Sequence, residues 1–183
     1  MKNILVATDM SARSDRAVRR AIRLGEAFGA KVHVLNVIDD DLPGDLGAKI
    51  KAEAEAALTQ WLASVHHDAQ VEAMVVAGDV RAVVPTQVEA LGADLVVFGH
   101  HRPRAFLDML RETTVESLMR AVTVPVLLVR DAADHDYGPV LAPISFSPAC
   151  ATALKTARTL APNAEIHAFH ALLLPFSGMT GEG

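Results

Sequence analysis

Apolar and polar positions along this chain follow two alternating periods. Short unbroken apolar runs rich in Ile and Val read as strands covered on both faces, and between them apolar residues return at helical spacing. "NILVAT" at residues 3–8 is the first such run. After it, Ala17, Val18, Ala21, Ile22, Gly25 and Phe28 form one helical stripe. Arg13, Arg16, Arg19, Arg20 and Arg23 fall mostly off that stripe, as a solvated face. Gly29 ends the helix. "KVHVLNV" is a second strand and "DDDLPGDLG" a loop, and Ile50, Ala54, Ala57, Leu58, Trp61, Leu62 and Val65 mark a second helix. "VEAMVVA" is a third strand, Val80 to Leu91 a third helix and "DLVVFG" a fourth strand. Glu112 to Ala121 is a fourth helix, and "VPVLLV" at Val124–Val129 a fifth strand. Pro85 interrupts the third helix, where it removes a hydrogen bond and crowds the preceding turn. Either that helix kinks there or it starts near Val83.

Strands alternating with helices require right-handed crossovers, so residues 1–130 read as an α/β domain. It is a five-stranded parallel sheet with helices on both faces. In such sheets ligands bind outside the carboxyl ends of strands, where the strand order reverses. Asp9, just past the first strand, and Gly99, at the end of the fourth, border that crevice.

Residues 139–171 echo residues 3–37. "ILVATDMSARSDRAVRRAIRLG" aligns without gaps on "VLAPISFSPACATALKTARTLA", and "AKVHVLNV" then aligns on "AEIHAFHA". Leu5 falls on Leu141, Ser11 on Ser147 and Ala17 on Ala153, while Asp9 becomes Ser145. The polar, turn-prone residues 131–138 read as a linker, and residues 139–183 as an incomplete second module. A lone strand–helix–strand unit cannot bury both faces of its sheet. The expectation is that the chain is the front part of a longer tandem protein; the alternative is packing on the first domain or on a partner subunit.

Composition narrows the function classes. The 183 residues carry a formal net charge of −5, which argues against a general affinity for nucleic acid or an anionic membrane. The apolar runs are too short to span a bilayer, and "MKNILVATD" does not resemble a signal peptide. One cysteine, Cys150, excludes an internal disulfide and fits a reducing cytoplasm. Catalytic and metal signatures are missing. There is no GxSxG elbow and no HExxH, and the adjacent pairs His66-His67 and His100-His101 point in different directions on a regular element. A phospho-acceptor domain of this architecture would need paired acids after the first strand and a lysine after the fifth. Asp9 stands alone, Asp79 lies two residues past the third strand, and Arg130 occupies the last place.

The order and spacing of "NILVATDMSARSDRAVRRA", "AGDV", "LGADLVVFGHH" and "TVESLMRAVTVPVLLVR" resemble the universal stress protein family. The resemblance covers residues 1–130 and resumes near 138. It implies a Rossmann-like fold and tandem two-module relatives. It also implies dimerisation through the strand at Val124–Val129, either between chains or between modules. Nucleotide-binding members carry a glycine after the fourth strand, another three residues later, and a third ten residues further on, followed by Ser or Thr. Glycines let backbone amides reach phosphate oxygens at a helix N-terminus. Gly99 and Thr113 fit this pattern, but Arg102 and Glu112 stand at the second and third glycine positions. A carboxylate about 4 Å from a phosphate charge opposes binding by about 4 kcal/mol at an effective dielectric of 20. At the start of a helix the same Glu112 stabilises its own chain by about 0.3–1 kcal/mol through the macrodipole. Arg102, Arg104 and Arg111 oppose the repulsion, because guanidinium grips phosphate.

The resemblance also makes Asp9 and Val37 nucleotide contacts, beside their plain readings as a cap residue and a buried strand residue. The expected site is therefore Asp9, Val37, Gly99, Arg102, Arg104 and Thr113, without catalytic residues or metal. The expected protein is a cytoplasmic stress-response protein that acts by association, is not an enzyme and holds no cofactor. The alternative is an ATP- or AMP-binding module whose nucleotide controls its partners or is slowly hydrolysed.

Overall fold

The computed structural model describes residues 1–41, 43–65, 67–99, 114–132 and 134–172. The chain divides into two compact units, Met1–His135 and Asp136–Gly183. In the first, β1 (Asn3–Thr8), β2 (Lys31–Ile38), β3 (Val71–Ala77), β4 (Leu95–Gly99) and β5 (Val126–Val129) form one sheet in the order β3-β2-β1-β4-β5. Every pairing is parallel. Helices α1 (Ala12–Phe28), α2 (Gly44–Ser64), α3 (Val80–Leu91) and α4 (Thr114–Ala121) connect the strands. Among the described residues this is the expected α/β Rossmann-like architecture.

Strand composition explains the sheet. Ile4, Leu5, Val6, Val32, Val34, Leu35, Leu95, Val96 and Val97 are wholly buried, as inner strands covered on both faces require. On one face Leu5 and Leu35 pack in a cluster with Val84 and Val88 of α3, Phe98 of β4 and Leu118 of α4. Ala17, Val18 and Ala21 of α1 are fully buried, and α1 packs on β1 and β4.

Three expectations are corrected. The loop reading of "DDDLPGDLG" runs too far, because α2 already begins at Gly44, with Gly47 N donating to Pro43 O at 2.9 Å. Two glycines conceal the first turn, since glycine is the weakest helix former after proline. The fifth strand is shorter than Val124–Val129. It starts at Val126, with Pro125 offering only its carbonyl, to Val96 N at 3.0 Å. The arginines of α1 are not one solvated face. Arg20 is buried, and its Nη1 and Nη2 donate to the carbonyls of His135 and Ala132 at 2.8 and 3.3 Å. Arg16 Nη1 donates to Arg130 O at 2.8 Å. Arg130, Ala132 and His135 are thereby held against α1. Arg19 instead bonds Asp15 and lies 6.0 Å from the Trp61 ring centre.

Helix α3 begins at Val80, not Val83, with Asp79 Oδ1 accepting from Arg81 N at 2.9 Å as its cap. Pro85 sits inside the helix.

The second unit contains β6 (Val140–Pro143), α5 (Pro148–Leu160) and β7 (Ile166–Phe169), with β6 and β7 parallel. Its register repeats that of the first unit. Leu5 lies opposite His33 and Ala7 opposite Leu35, while Leu141 lies opposite His167 and Pro143 opposite Phe169.

Candidate functional site

The strand order runs one way from β1 to β3 and the other way from β4 to β5, so the reversal lies between β1 and β4. Ala7 pairs with Phe98 there, which sets Asp9 and Gly99 beside each other at the carboxyl ends of adjacent strands. Thr8 pairs with Asn36 on the other side, so Val37 lies next along β2. Val37 itself packs against the core cluster of α3 and α4. Arg102, Arg104 and Thr113, with Arg111, Glu112 and the histidines at 66, 100 and 101, lie outside the described residues.

Around Asp9 the chain makes a compact set of polar contacts. Met10 takes a left-handed conformation, φ 58°, which turns the chain from β1 into α1. Asp9 Oδ1 accepts from Ser11 N at 3.0 Å and from Ser14 Oγ at 2.7 Å. Ser11 caps the helix through Ser14 N, and Thr8 Oγ1 lies 2.9 Å from Ser14 Oγ. Burial pushes the Asp9 carboxyl up, but hydrogen bonds from Ser11 and Ser14 outweigh it and hold the group below the ordinary carboxylate range. Behind them, buried Asn36 donates from Nδ2 to Thr8 O at 2.8 Å. Its Oδ1 meets no donor among the described residues.

The sequence offered Asp9 and Gly99 but not Thr8, Ser14 or Asn36. Ser14 was legible only as a polar residue on an otherwise apolar stripe. Asn36 bonds across 28 positions of chain, a relation that no local pattern carries.

The second unit keeps the same turn. Phe146 has φ 58°, like Met10, and Ser147 caps α5 through Cys150 N at 3.3 Å, as Ser11 caps α1. Ser145 replaces Asp9 and Cys150 replaces Ser14. Ser145 N and Oγ lie 3.3 and 3.2 Å from Cys150 Sγ, and hydrogen bonds from Ser145 and Ser147 lower the thiol pKa to about 7.

Two further polar groupings stand away from the crevice. Glu72 of β3 bonds Lys31 at 2.8 Å and lies 3.1 Å from Nδ1 of buried His33. Burial and then Lys31 lower the His33 pKa, against the pull of Glu72. Asp39, Asp40 and Asp41 bring three exposed carboxylates together and are the one grouping among the described residues that could hold a metal. The sequence reading gave no metal site. No helix among the described residues is long and apolar enough to cross a membrane.

Comparison with known proteins agrees with this geometry. The chain is 32% identical over 139 residues to universal stress protein A of Photorhabdus laumondii, covering 70% of this chain and 94% of that protein. It is 30% identical to universal stress protein A of Escherichia coli K12, covering 70% and 93%. Among solved structures, a universal stress protein in complex with cAMP has a TM-score of 0.57 at 24% identity, over 70% of this chain and 96% of that one. The universal stress protein of Archaeoglobus fulgidus in complex with dAMP has a TM-score of 0.52 at 16% identity, over 70% and 97%. At those identities the likeness of the two structures is one of fold. Residues 1–130 match the Universal stress protein family over most of the chain's length, and the chain belongs to that family.

Proposed function

We propose that this universal stress protein family member acts by association with a partner, without a resident nucleotide and without catalysis, in the cytoplasm. The observation that carries this reading is the state of Asp9. Its carboxylate is engaged by Ser11 and Ser14 of its own helix start, which leaves the crevice's acid committed to the fold. Arg102 and Glu112 at the glycine positions of the phosphate loop support the same reading. Association runs through β5, a sheet-edge strand whose Leu128 is exposed. Edge strands present unpaired amides and carbonyls that seek a second strand. The partner is a second chain, or another module of the same protein if residues 139–183 are the start of one.

A second reading, adenine-nucleotide binding by Asp9, Val37, Gly99, Arg102, Arg104 and Thr113, is favoured by the crevice at the β1–β4 reversal. The cAMP- and dAMP-bound relatives share its fold. Slow hydrolysis of ATP belongs to that reading.

One set of measurements separates them. Small molecules that co-purify are identified by mass spectrometry, ATP and AMP are titrated by calorimetry, and the intact chain is sedimented at tens of micromolar. The association reading expects no nucleotide, no saturable heat, and a dimer dissociated by Leu128→Asp. Micromolar binding that weakens in Thr113→Ala replaces it with the second reading, and a monomer removes the β5 contact.

A further inference from the structure

His33 stands in an otherwise apolar run of β2, between Val32 and Val34, and only 3% of it is exposed. Its register partners are Leu5 of β1 on one side and Glu72 of β3 on the other. Leu5, and Leu35 two residues along from His33, belong to the cluster packed with α3 and α4. Alternation along the strand therefore puts the imidazole on that same covered face. Glu72 is its polar neighbour across the strands, and β3 is an edge of the sheet.

The carboxylate is shared unequally. Lys31 Nζ lies 2.8 Å from Glu72 Oε2, and His33 Nδ1 lies 3.1 Å from the same oxygen. The imidazole nitrogen is nevertheless out of line for a hydrogen bond, and it is buried without another partner among the described residues. Lys31 and Glu72 are both half-exposed, so water screens them, and the ammonium already engages the carboxylate. An imidazolium here loses its hydration, meets Lys31 as a like charge and finds only partial compensation in Glu72. Burial is the largest of these effects, Lys31 acts in the same direction, and Glu72 opposes both. From β1 the facing residue is the apolar Leu5, and the charged residues of α3, Arg81 and Glu89, are exposed. Among the described residues Lys31 and Glu72 are thus the charges that act on the ring.

We infer that His33, Lys31 and Glu72 form an acid-sensitive lock on the sheet edge: a neutral His33 keeps β3 seated on β2, and a proton on His33 releases it. The strand that yields is β3, because it has one neighbouring strand where β1 and β2 have two. Once it moves out, water reaches the ring, and a charged imidazole favours that state. The folded value of His33 lies below the ordinary one. Its contribution is therefore complete above the unfolded value of about 6.5 and is lost as pH falls through the folded value. Asp9 stays charged across this window, since its own value is held below the ordinary carboxylate range. The edge thus responds to acid independently of the crevice.

The test is amide exchange of the full chain near pH 7.5 and near pH 5.5, about one unit to either side of the ordinary imidazole value. Rates are expressed as protection factors, so that the intrinsic pH dependence cancels. Expected is a severalfold loss of protection over Val71–Ala77 at the lower pH, while Asn3–Thr8 of β1 keeps its own. His33→Gln is expected to abolish that loss. The ring signals of His33, followed by NMR, give a second readout that does not depend on that variant. Their midpoint is expected below the ordinary histidine value, falling further in Glu72→Gln and rising in Lys31→Met, two exchanges at half-exposed positions. Equal β3 protection at the two pH values overturns the inference, as does a loss that persists in His33→Gln or that β1 shares equally. A midpoint at or above the ordinary value overturns it too.

Discussion

Replacing Ser14 by alanine removes one hydroxyl held among oxygens at the start of α1. That hydroxyl donates to Asp9 Oδ1 at 2.7 Å, and Thr8 Oγ1 at 2.9 Å and the Ser11 carbonyl oxygen at 3.0 Å also lie against it. A hydrogen bond to a charged group contributes about 1.5–3 kcal/mol and a neutral one about 0.5–1.5 kcal/mol. Asp9 is exposed and Ser14 buried, so the low end of each range applies. The expected destabilisation is about 2 kcal/mol, or a fall in Tm of roughly 4–8 °C. Urea unfolding followed by Trp61, the sole tryptophan and a residue of α2, reads the first unit directly. The pH dependence gives a second check. The folded pKa of Asp9 is depressed by Ser11 and Ser14 against the opposing effect of burial. Its contribution is therefore complete above the unfolded value of about 3.9 and is lost as pH falls through the folded value. Alanine at 14 returns the carboxyl toward its ordinary range, so the gap between the two proteins is full near pH 7 and narrows below about pH 5. A loss under about 0.5 kcal/mol at neutral pH, or a gap equally wide near pH 3, refutes this account of the turn.

Arg20→Ala removes the donors to the carbonyls of Ala132 and His135 and is expected to lower stability by about 3 kcal/mol, with faster amide exchange over residues 130–135; an unmoved urea midpoint counts against it. Arg20→Lys recovers less than half of that loss, because one ammonium cannot span two carbonyls as a planar fork does. Alkylation of Cys150 by iodoacetamide is expected to rise with pH through a midpoint of about 7, and Ser145→Ala moves that midpoint upward; a midpoint in the ordinary thiol range for the unchanged chain contradicts the hydrogen bonds to sulfur. The double variant Arg102→Gly/Glu112→Gly restores the glycine spacing of nucleotide-binding relatives. It is expected to gain affinity for ATP by calorimetry of at least about tenfold, the size of roughly a third of the 4 kcal/mol repulsion worked for Glu112. No gain shows that those two side chains do not decide occupancy.

The sheet was legible because its signal is redundant. Each strand is a short run of β-branched residues, and each helix has an apolar stripe that survives one or two exceptions. What escaped was local and contextual. Pro43, Gly44 and Gly47 spell a loop in propensity, yet the α2 turn closes over them, because Ala54, Leu58 and Leu62 anchor the rest of the helix in the core. Arg20 looked like its four neighbours, and only the carbonyls of Ala132 and His135, more than a hundred positions away, make it an interior residue. Asp9 and Gly99 fall at the β1–β4 reversal. The sequence could name them as ends of strands because alternation of elements implies a parallel sheet, although alternation does not itself set the strand order. The bonds that occupy Asp9 depend on Ser14 rotating toward β1, and no spacing rule encodes that rotation.

The left-handed bends at Met10 and Phe146 carry a consequence for how the two halves diverge. A non-glycine residue held at positive φ costs on the order of 1–3 kcal/mol, so each bend persists only because the surrounding main chain over-determines it. The mould is thus independent of what it displays. One copy stations a carboxylate at the head of its helix and the other a thiol, on the same frame. The first answers to acid and the second to electrophiles and oxidants, so a single inherited hinge gives the chain two differently tuned ends.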